Sequence, residues 1–308
     1  MQPGSGLTAV TSPRVLWETM IDASNTALVI EGGGMRNSYT AACIVKLIQE
    51  NVTFGWVGGV SAGASHTVNY LSHDAKRAEE SFTDFVNNPS FGGVGSLVRG
   101  NGYFNAEYIY ERSADKDMPF DWDAYRKHPA DMVLAAARAD TGESVYWTRE
   151  DVKEPEDLYV RVRASSTLPL LMPIRIIDGS PYVDGALGSS GGITIEQAEE
   201  AGYEKFLFIG SKPRGYVRPE VARPAITRRI FRKYPAIADA LIGRPPIYNA
   251  AKDRLLELER QGKAQLFFPE DMQVASTERN VDKLRANYQA GKAQTHAEWP
   301  KWKEFLLD

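Results

Sequence analysis

The residues best placed to do chemistry are a serine with a glycine two positions to either side. Residues 59–63 read Gly-Val-Ser-Ala-Gly, with Ser61 at the centre. They follow a strand-like stretch at 52–60 and precede residues 64–68, which can form a helix. A tight strand-to-helix turn leaves no room for side chains at the flanking positions, and glycine removes that collision. The pattern therefore predicts that Ser61 projects from such a turn as a nucleophile.

A second glycine cluster lies upstream, where residues 32–36 read Gly-Gly-Gly-Met-Arg after an apolar strand at 26–30. Glycines let the backbone approach a ligand closely, and the start of a helix supplies unpaired N–H groups. This chemistry suits an oxyanion or a pyrophosphate. The dinucleotide fingerprint needs a glycine where Asn37 stands and an acid about 20 residues further on, but residues 51–64 contain no acid. We therefore predict an oxyanion hole, with Arg36 either holding the loop or an anionic substrate group or remaining a solvated residue.

A Ser-His-Asp hydrolase requires a histidine as its base. His66 lies only five residues beyond the serine on the same predicted helix, so its side chain should point away from the turn. The other histidines have no flanking motif that indicates a catalytic role, and they are His73, His128 and His296. The sequence therefore predicts that the base is a different kind of residue.

Asp184 is the better candidate for the base. Residues 182–186 read Tyr-Val-Asp-Gly-Ala, which places the acid at the end of a short strand. The small residues Gly185 and Ala186 would let another element approach the carboxylate. The rival Asp178 is followed by glycine between two short strands, which is typical of a hairpin turn. An aspartate of ordinary pKa, near 3.9, is a weak base for a hydroxyl, so the serine and the aspartate must be in direct contact.

Composition excludes several classes of protein. The chain has 308 residues, 43% hydrophobic and 25% charged, as is usual for a globular protein. A net charge of −4 argues against nucleic acid as a partner. The single cysteine, Cys43, cannot form a disulfide within the chain, and no segment resembles a signal peptide or a membrane-spanning helix. We expect a cytoplasmic location, no cofactor, and no metal at the acidic stretch of Asp115, Asp117, Asp121 and Asp123.

The order of predicted elements divides the chain into three parts. Residues 1–24 form a leader with a short amphipathic helix at 15–21. Residues 25–211 alternate strands and helices, with an irregular excursion at 87–120 that suits a substrate wall or a lid. Residues 212–308 form a C-terminal extension that packs on the core, with helices at 237–242 and 248–261, a short strand at 265–268, and a charged tail.

Together these motifs resemble those of the patatin-like phospholipase family. The resemblance rests on the glycine loop at 31–36, the nucleophile motif at 59–63 and the Asp-Gly-Ala motif at 184–186. It also includes the Arg-Ala-Ser-Ser-Thr-Leu-Pro segment at 163–169. Order and spacing agree over about residues 25–211.

The resemblance implies a three-layer α/β/α fold with a central, mainly parallel sheet, followed here by a mostly helical C-terminal extension. It implies a Ser61–Asp184 dyad without histidine and an oxyanion hole from the backbone at Gly33 and Gly34, helped by Arg36. The remaining motif positions are Gly32, Gly59, Gly63, Gly185 and Ala186. Asn37 departs from the family, whose loop carries glycine there; asparagine is the least costly substitute if the position needs a positive φ.

These expectations favour a serine acyl hydrolase that acts on lipid esters. An acyltransferase or a thioesterase would use the same dyad, so the acceptor remains open. A third possibility is a catalytically weak protein that binds a partner or a membrane surface. Residues 212–233 contain eight Lys and Arg and one acid, a composition that suits peripheral contact with anionic lipids.

Overall fold

The computed structural model describes residues 20–308. The predicted leader at 1–24 and its helix at 15–21 therefore lie mostly outside the described residues, and Ile21 already begins a strand. The strands are β1 (Ile21–Ile30), β2 (Val52–Val60), β3 (Asp131–Arg138), β4 (Ser144–Trp147), β5 (Arg175–Ile177), β6 (Ser180–Asp184), β7 (Lys205–Ile209) and β8 (Ala264–Phe267). The helices are α1 (Asn37–Gln49), α2 (Ala62–Leu71), α3 (Ala75–Glu80), α4 (Val94–Val98), α5 (Trp122–Lys127), α6 (Pro155–Ser165), α7 (Ile195–Glu200), α8 (Pro224–Ile230), α9 (Pro235–Arg260) and α10 (Val281–Leu307).

All eight strands belong to one mixed sheet. Five parallel strands lie in the order β3-β2-β1-β7-β8, and β4 and β6 pair antiparallel with β3. The short β5 forms a hairpin with β6. The carboxyl ends of the parallel strands meet at one edge, which is where open α/β sheets place their sites.

Helices cover both faces of the sheet. In β1, Leu28 and Ile30 face a core shared with α1, α2 and α10, whereas Ala27 and Val29 face a core shared with α7 and α9. Burial on both faces explains why this strand is an uninterrupted apolar run. The predicted α/β/α class with a mainly parallel central sheet is confirmed.

The last third of the chain contributes to these layers. β8 pairs with β7, so the sheet continues beyond residue 211. Helix α9 runs without a break through Pro245 and Pro246, where the sequence predicted two helices. Its buried residues extend from Ile237 to Leu258, and this long packed face holds the helix together across the prolines. The division of the chain at residue 211 remains a prediction.

The predicted charged tail is instead the long helix α10. Its buried residues recur every three or four positions, as a helix face requires, and they include Leu284, Tyr288, Trp299, Trp302 and Leu306. The Trp302 ring lies 5.4 Å from that of Phe267 in β8. The signal was present in the sequence, but the many charged residues between these positions concealed it.

Candidate active site

Ser61 occupies a strained turn between β2 and α2. Its backbone has φ 58° and ψ −124°, a region that residues other than glycine rarely adopt. A Cβ on Gly59 would lie 2.3 Å from the carbonyl oxygen of Gly63, and one on Gly63 would lie 2.3 Å from that of Ile30. Both flanking positions therefore require glycine for steric reasons. The serine itself is 7% exposed.

Ser165, the last residue of α6, holds the nucleophile turn in place. Its Oγ accepts a hydrogen bond of 3.0 Å from the backbone N–H of Ser61. Both residues are buried, so the bond satisfies a donor that water cannot reach. The sequence placed Ser165 in a motif of the resembled family but indicated no role for it, because the contact spans 104 positions of the chain.

Asp184 lies beside the same turn because of how the strands pair with β3. Val60, the residue before the serine, pairs with Ala135, and Asp184 pairs with Ala136. At Ala136 the opposite edge of β3 is occupied by β4. Strand β6 therefore pairs with the same edge of β3, starting where the pairing of β2 ends. This pairing places the aspartate beside the carboxyl end of β2. A Cβ on Gly185 would lie 2.1 Å from the carbonyl oxygen of Ala135, so this approach needs glycine.

The environment of Asp184 suits a base. The residue is 3% exposed, and its Oδ1 accepts a 2.9 Å hydrogen bond from the N–H of Ala186. Burial raises the pKa of Asp184 above its ordinary value, and a side-chain hydrogen bond from Ser61 and the charge of Arg244 oppose this rise only in part. A raised pKa makes the carboxylate a stronger proton acceptor. The rival Asp178 lies at the exposed turn between β5 and β6, with φ 50°.

The glycine loop lies against the nucleophile. A Cβ on Gly32 would be 3.0 Å from the Cβ of Ser61. Within residues 20–308, the N–H groups of Gly33 and Gly34 donate to no protein acceptor. Gly34 has φ 58°, and a Cβ there would lie 2.4 Å from the carbonyl oxygen of Ser276. This tight loop leaves two N–H groups free for a ligand.

Neighbouring residues fix the shape of the loop. Ser211 donates from its N–H to Glu31 at 2.6 Å and from its hydroxyl to the Gly32 carbonyl at 2.8 Å. Met35 donates to the Ser276 carbonyl at 2.9 Å. Asn37 has φ −69°, which is ordinary helical backbone. The position therefore does not need the positive φ that the sequence analysis allowed for. Its amide instead donates to the Glu31 carbonyl at 3.1 Å, which closes the loop.

Arg36 is half-buried, and its charge interacts with those of Glu31 and Arg218. Burial lowers its pKa, with the neighbouring guanidinium adding to the effect. Among the described residues it forms no hydrogen bond to Ser61 or Asp184. Its part in an oxyanion hole remains a prediction.

None of the four histidines hydrogen-bonds to the serine or the aspartate within the part of the chain described. His66 is buried, with its Nε2 3.1 Å from the Asn37 carbonyl, and burial lowers its pKa to about 3. His128 accepts from the N–H of Ala130 and also has a lowered pKa, about 4, mainly through burial. The remaining two are exposed.

An apolar cavity that opens to solvent begins at Ser61. Gly34 and Ala62 line the same cavity. Its deeper walls are mainly aromatic and aliphatic, and they include Phe82, Phe85, Phe91, Phe104, Leu158 and Met172. Phe91 and Phe104 come from the irregular excursion at 87–120, which therefore forms part of the cavity wall. An apolar lining of this kind suits an acyl chain.

The fold and this site define an α/β protein with a serine in a strained strand-to-helix turn beside a buried carboxylate. The sequence model of the patatin-like phospholipase family matches residues 28–195, more than half of the chain. The chain belongs to the patatin-like phospholipase family, which confirms the resemblance. A second model, described as a domain of unknown function (DUF6363), matches residues 234–307.

No curated protein sequence matches the chain. The crystal structure of VipD from Legionella pneumophila is similar, with a TM-score of 0.47 and 12% identity over 91% of this chain. This chain spans 66% of the length of the VipD chain.

Residues 20–308 contain neither a metal-binding cluster nor a membrane-spanning helix. No group of three or more His, Cys, Asp or Glu side chains is arranged to hold a metal ion. No helix in this part of the chain is both long and apolar enough to cross a bilayer. The cytoplasmic location remains a prediction.

Proposed function

We propose that this protein is a serine acyl hydrolase that cleaves ester bonds of lipids with a Ser61–Asp184 dyad. One observation carries the proposal: the Ser61 side chain lies close enough to the buried Asp184 carboxylate to offset part of the rise in its pKa, at the mouth of an apolar cavity. A nucleophile, a base and an apolar cavity are the parts that such a reaction needs.

In the first half-reaction the Ser61 Oγ attacks the ester carbonyl carbon while Asp184 takes the hydroxyl proton. The negative charge that develops on the carbonyl oxygen is held by the N–H groups of Gly33 and Gly34. Such donors contribute about 10²- to 10³-fold each to the rate in comparable sites. The tetrahedral intermediate then expels the alcohol, which takes the proton from Asp184, and the acyl-enzyme remains.

In the second half-reaction water attacks the acyl-enzyme. Asp184 accepts a proton from that water, and the same N–H groups again hold the oxyanion. Collapse releases the fatty acid and returns the proton to the Ser61 Oγ. A two-residue site must perform both proton transfers with one carboxylate, which the raised pKa of Asp184 favours.

A fluorophosphonate probe tests the proposal directly. We expect covalent labelling of the wild type at Ser61, confirmed by peptide mass spectrometry, and no labelling of Ser61→Ala. A lipid panel read by mass spectrometry should show fatty acid released by the wild type alone. Ser65→Ala is a matched control because Ser65 lines the same cavity one helical turn away. Folded wild type that resists labelling with detergent or lipid present would contradict the proposal.

The dyad would serve equally in an acyltransferase or a thioesterase, because all three pass through the same acyl-enzyme. Product analysis in the presence of lysolipid or alcohol acceptors separates these reactions. Release of free fatty acid at the same rate with and without acceptor supports the hydrolase.

A second candidate role is contact with an anionic membrane surface. Helix α8 exposes Ile226 and Ile230, at 48% and 53%, beside basic residues. Six cations of the 212–233 segment are exposed, and four of them form no ion pair within residues 20–308, namely Arg223, Arg229, Arg232 and Lys233. Each basic residue near such a surface contributes about 1 kcal/mol. Co-sedimentation with anionic but not zwitterionic vesicles, lost in Ile226→Asp, would support this contact.

A further inference from the structure

Four basic side chains gather beside the dyad without an acidic partner. They are Arg36 after the glycine loop, Lys212 and Arg218 in the segment that follows β7, and Arg244 of α9. All four are half-buried. Within residues 20–308 none of them forms an ion pair within 4.0 Å.

Two tyrosine rings lie against two of these cations. The guanidinium of Arg218 lies 4.6 Å from the ring centre of Tyr248, and the Lys212 ammonium lies 4.6 Å from that of Tyr216. The two rings meet edge to face at 6.0 Å. Lys212 and Arg218 therefore share one aromatic support.

Helix α9 fixes the cluster in place. The Asn249 amide makes two hydrogen bonds to the backbone of Arg218, at 2.8 and 3.1 Å. Arg244 donates from Nε to the Gly191 carbonyl at 3.0 Å. The buried Lys252 donates to the carbonyl groups at 214 and 216 and so pins the same segment. Positions 244, 248 and 252 are four residues apart and lie on one face of the helix.

Proximity to the dyad follows from neighbouring atoms. A Cβ on Gly192 would lie 3.2 Å from an Arg244 Nη and 3.3 Å from the Cβ of Ala186, two residues after Asp184. The charges of Arg244 and Arg218 both act on the Asp184 carboxylate. None of the four cations lines the apolar cavity, so the cluster is separate from the acyl site.

The positive charge of the cluster exceeds the negative charge of the carboxylates around it. Glu31 and Asp184 are the carboxylates whose charges act on it, and Glu31 already accepts a backbone N–H. The Nε atoms of Arg36 and Arg218 are buried without an acceptor. Burial and then neighbouring like charges lower the pKa of Lys212 to about 8 and that of Arg244 to about 10. Unpaired buried donors and crowded cations indicate a site for an anion.

We propose that Arg36, Lys212, Arg218 and Arg244 bind a phosphoryl group next to the dyad. Guanidinium groups match the geometry of phosphate oxygens, and two ligand charges would balance the excess of the cluster. With an acyl chain in the apolar cavity and its ester at Ser61, a phosphate on the same lipid would occupy this cluster. This inference rests on the proposed hydrolase function, and it deepens that function by naming a phosphate-bearing ester as substrate.

Binding is measured first, without catalysis. Inorganic phosphate is titrated into the Ser61→Ala protein by calorimetry. We expect a single binding site whose affinity falls tenfold or more in Ser61→Ala that also carries Arg218→Gln or Lys212→Gln, since hydrogen bonds between charged groups contribute about 1.5–3 kcal/mol. Arg232→Gln removes an equal charge from an exposed position of the same segment and should leave the affinity unchanged. Circular dichroism confirms that each variant is folded.

Kinetics distinguish the source of the phosphate. The ratio of kcat/KM for dioctanoyl phosphatidic acid to that for dioctanoylglycerol should fall about tenfold in Arg218→Gln. A lowered ratio assigns the site to the lipid head group, whereas phosphate binding with an unchanged ratio assigns it to free phosphate. No phosphate binding and an unchanged ratio overturn the proposal. Failure of Ser61 labelling in wild type would instead overturn the hydrolase function, because phosphate binding to Ser61→Ala needs no catalysis.

Discussion

Ser61 and Asp184 meet where one edge of β3 changes its partner. Strand β2 occupies this edge up to Ala135, and β6 takes it over at Ala136. The serine is the first residue after β2, and the aspartate is the last residue of β6. Two residues 123 positions apart in the numbering are thus placed together by consecutive hydrogen-bond registers. A change that weakens the strand pairing at this edge of β3 should therefore lower activity as well as stability.

Asp184→Asn should abolish turnover and stabilise the fold at neutral pH. Loss of the base costs on the order of 10⁴-fold in kcat by analogy with other catalytic carboxylates. Burial raises the pKa of Asp184, so the ionised form costs free energy in the native state. The free energy that this group contributes to folding is fully present below its pKa in the unfolded state. It is lost as the pH rises through its pKa in the folded state. The variant should therefore unfold at higher denaturant concentration than wild type at pH 7.

The pH dependence supplies the control for Asp184. The stability advantage of the variant should disappear at a pH below the ordinary value of 3.8. In wild type, kcat/KM should fall on the acid side with an inflection above that value, because only the carboxylate accepts the serine proton. An Asp184→Asn protein that is less stable than wild type at pH 7 would show that the Arg244 and Arg218 charges outweigh burial.

Ser61→Gly should be more stable than Ser61→Ala, although both are inactive. The backbone at this position has φ 58° and ψ −124°, which glycine adopts readily and alanine does not. Strain of this kind costs about 1–3 kcal/mol, partly offset by the greater freedom of glycine in the unfolded chain. Urea unfolding should show a difference of about 1 kcal/mol in favour of glycine. Equal stabilities would mean that the turn relaxes around alanine.

Ser165→Ala should lower kcat with little change in KM. Ser165 does not contact the cavity, but it accepts the N–H of Ser61, so it is a positioning residue. Its removal leaves a buried donor without a partner, at a cost of about 1–3 kcal/mol in stability. The rate of fluorophosphonate labelling should fall with kcat.

Ser72→Ala is the matched control for this change. Ser72 is a buried serine at the far end of α2, and it donates to the Asn69 carbonyl at 3.1 Å. The control should keep the wild-type rate of labelling. A rise in KM in Ser165→Ala, without a change in kcat, would contradict the positioning role.

His66→Gln should reduce the sensitivity of the fold to acid. Burial lowers the pKa of His66 to about 3, below the ordinary 6.5. The group contributes its full stability above pH 6.5 and loses it as the pH falls toward 3. Over that window wild type should lose about 1.4 kcal/mol per pH unit more than the variant. His296→Gln, at an exposed position, serves as the control, and parallel pH profiles for wild type and His66→Gln would contradict the prediction.

The sequence alone predicted the features that depend on local sterics. The glycines around Ser61 are required by one turn, and the alternation of strands and a helix over residues 26–60 follows from local apolar pattern. The Asp-Gly-Ala motif is also a local feature, because a side chain at Gly185 would collide with the β3 backbone. The glycine that this contact requires is visible in the sequence. The patatin-like family and its α/β/α class followed from these motifs.

Only the tertiary structure decided how distant segments meet. The exchange of β2 for β6 on β3 and the bond from Ser61 to Ser165 depend on long-range register, which local pattern does not encode. The same holds for β8 in the sheet and for α9, which continues through two prolines because its whole length is packed. Lys212 and Arg218 belong to a stretch whose basic composition in the sequence suited a solvated face, and it is the packing of α9 against this segment that fixes its position.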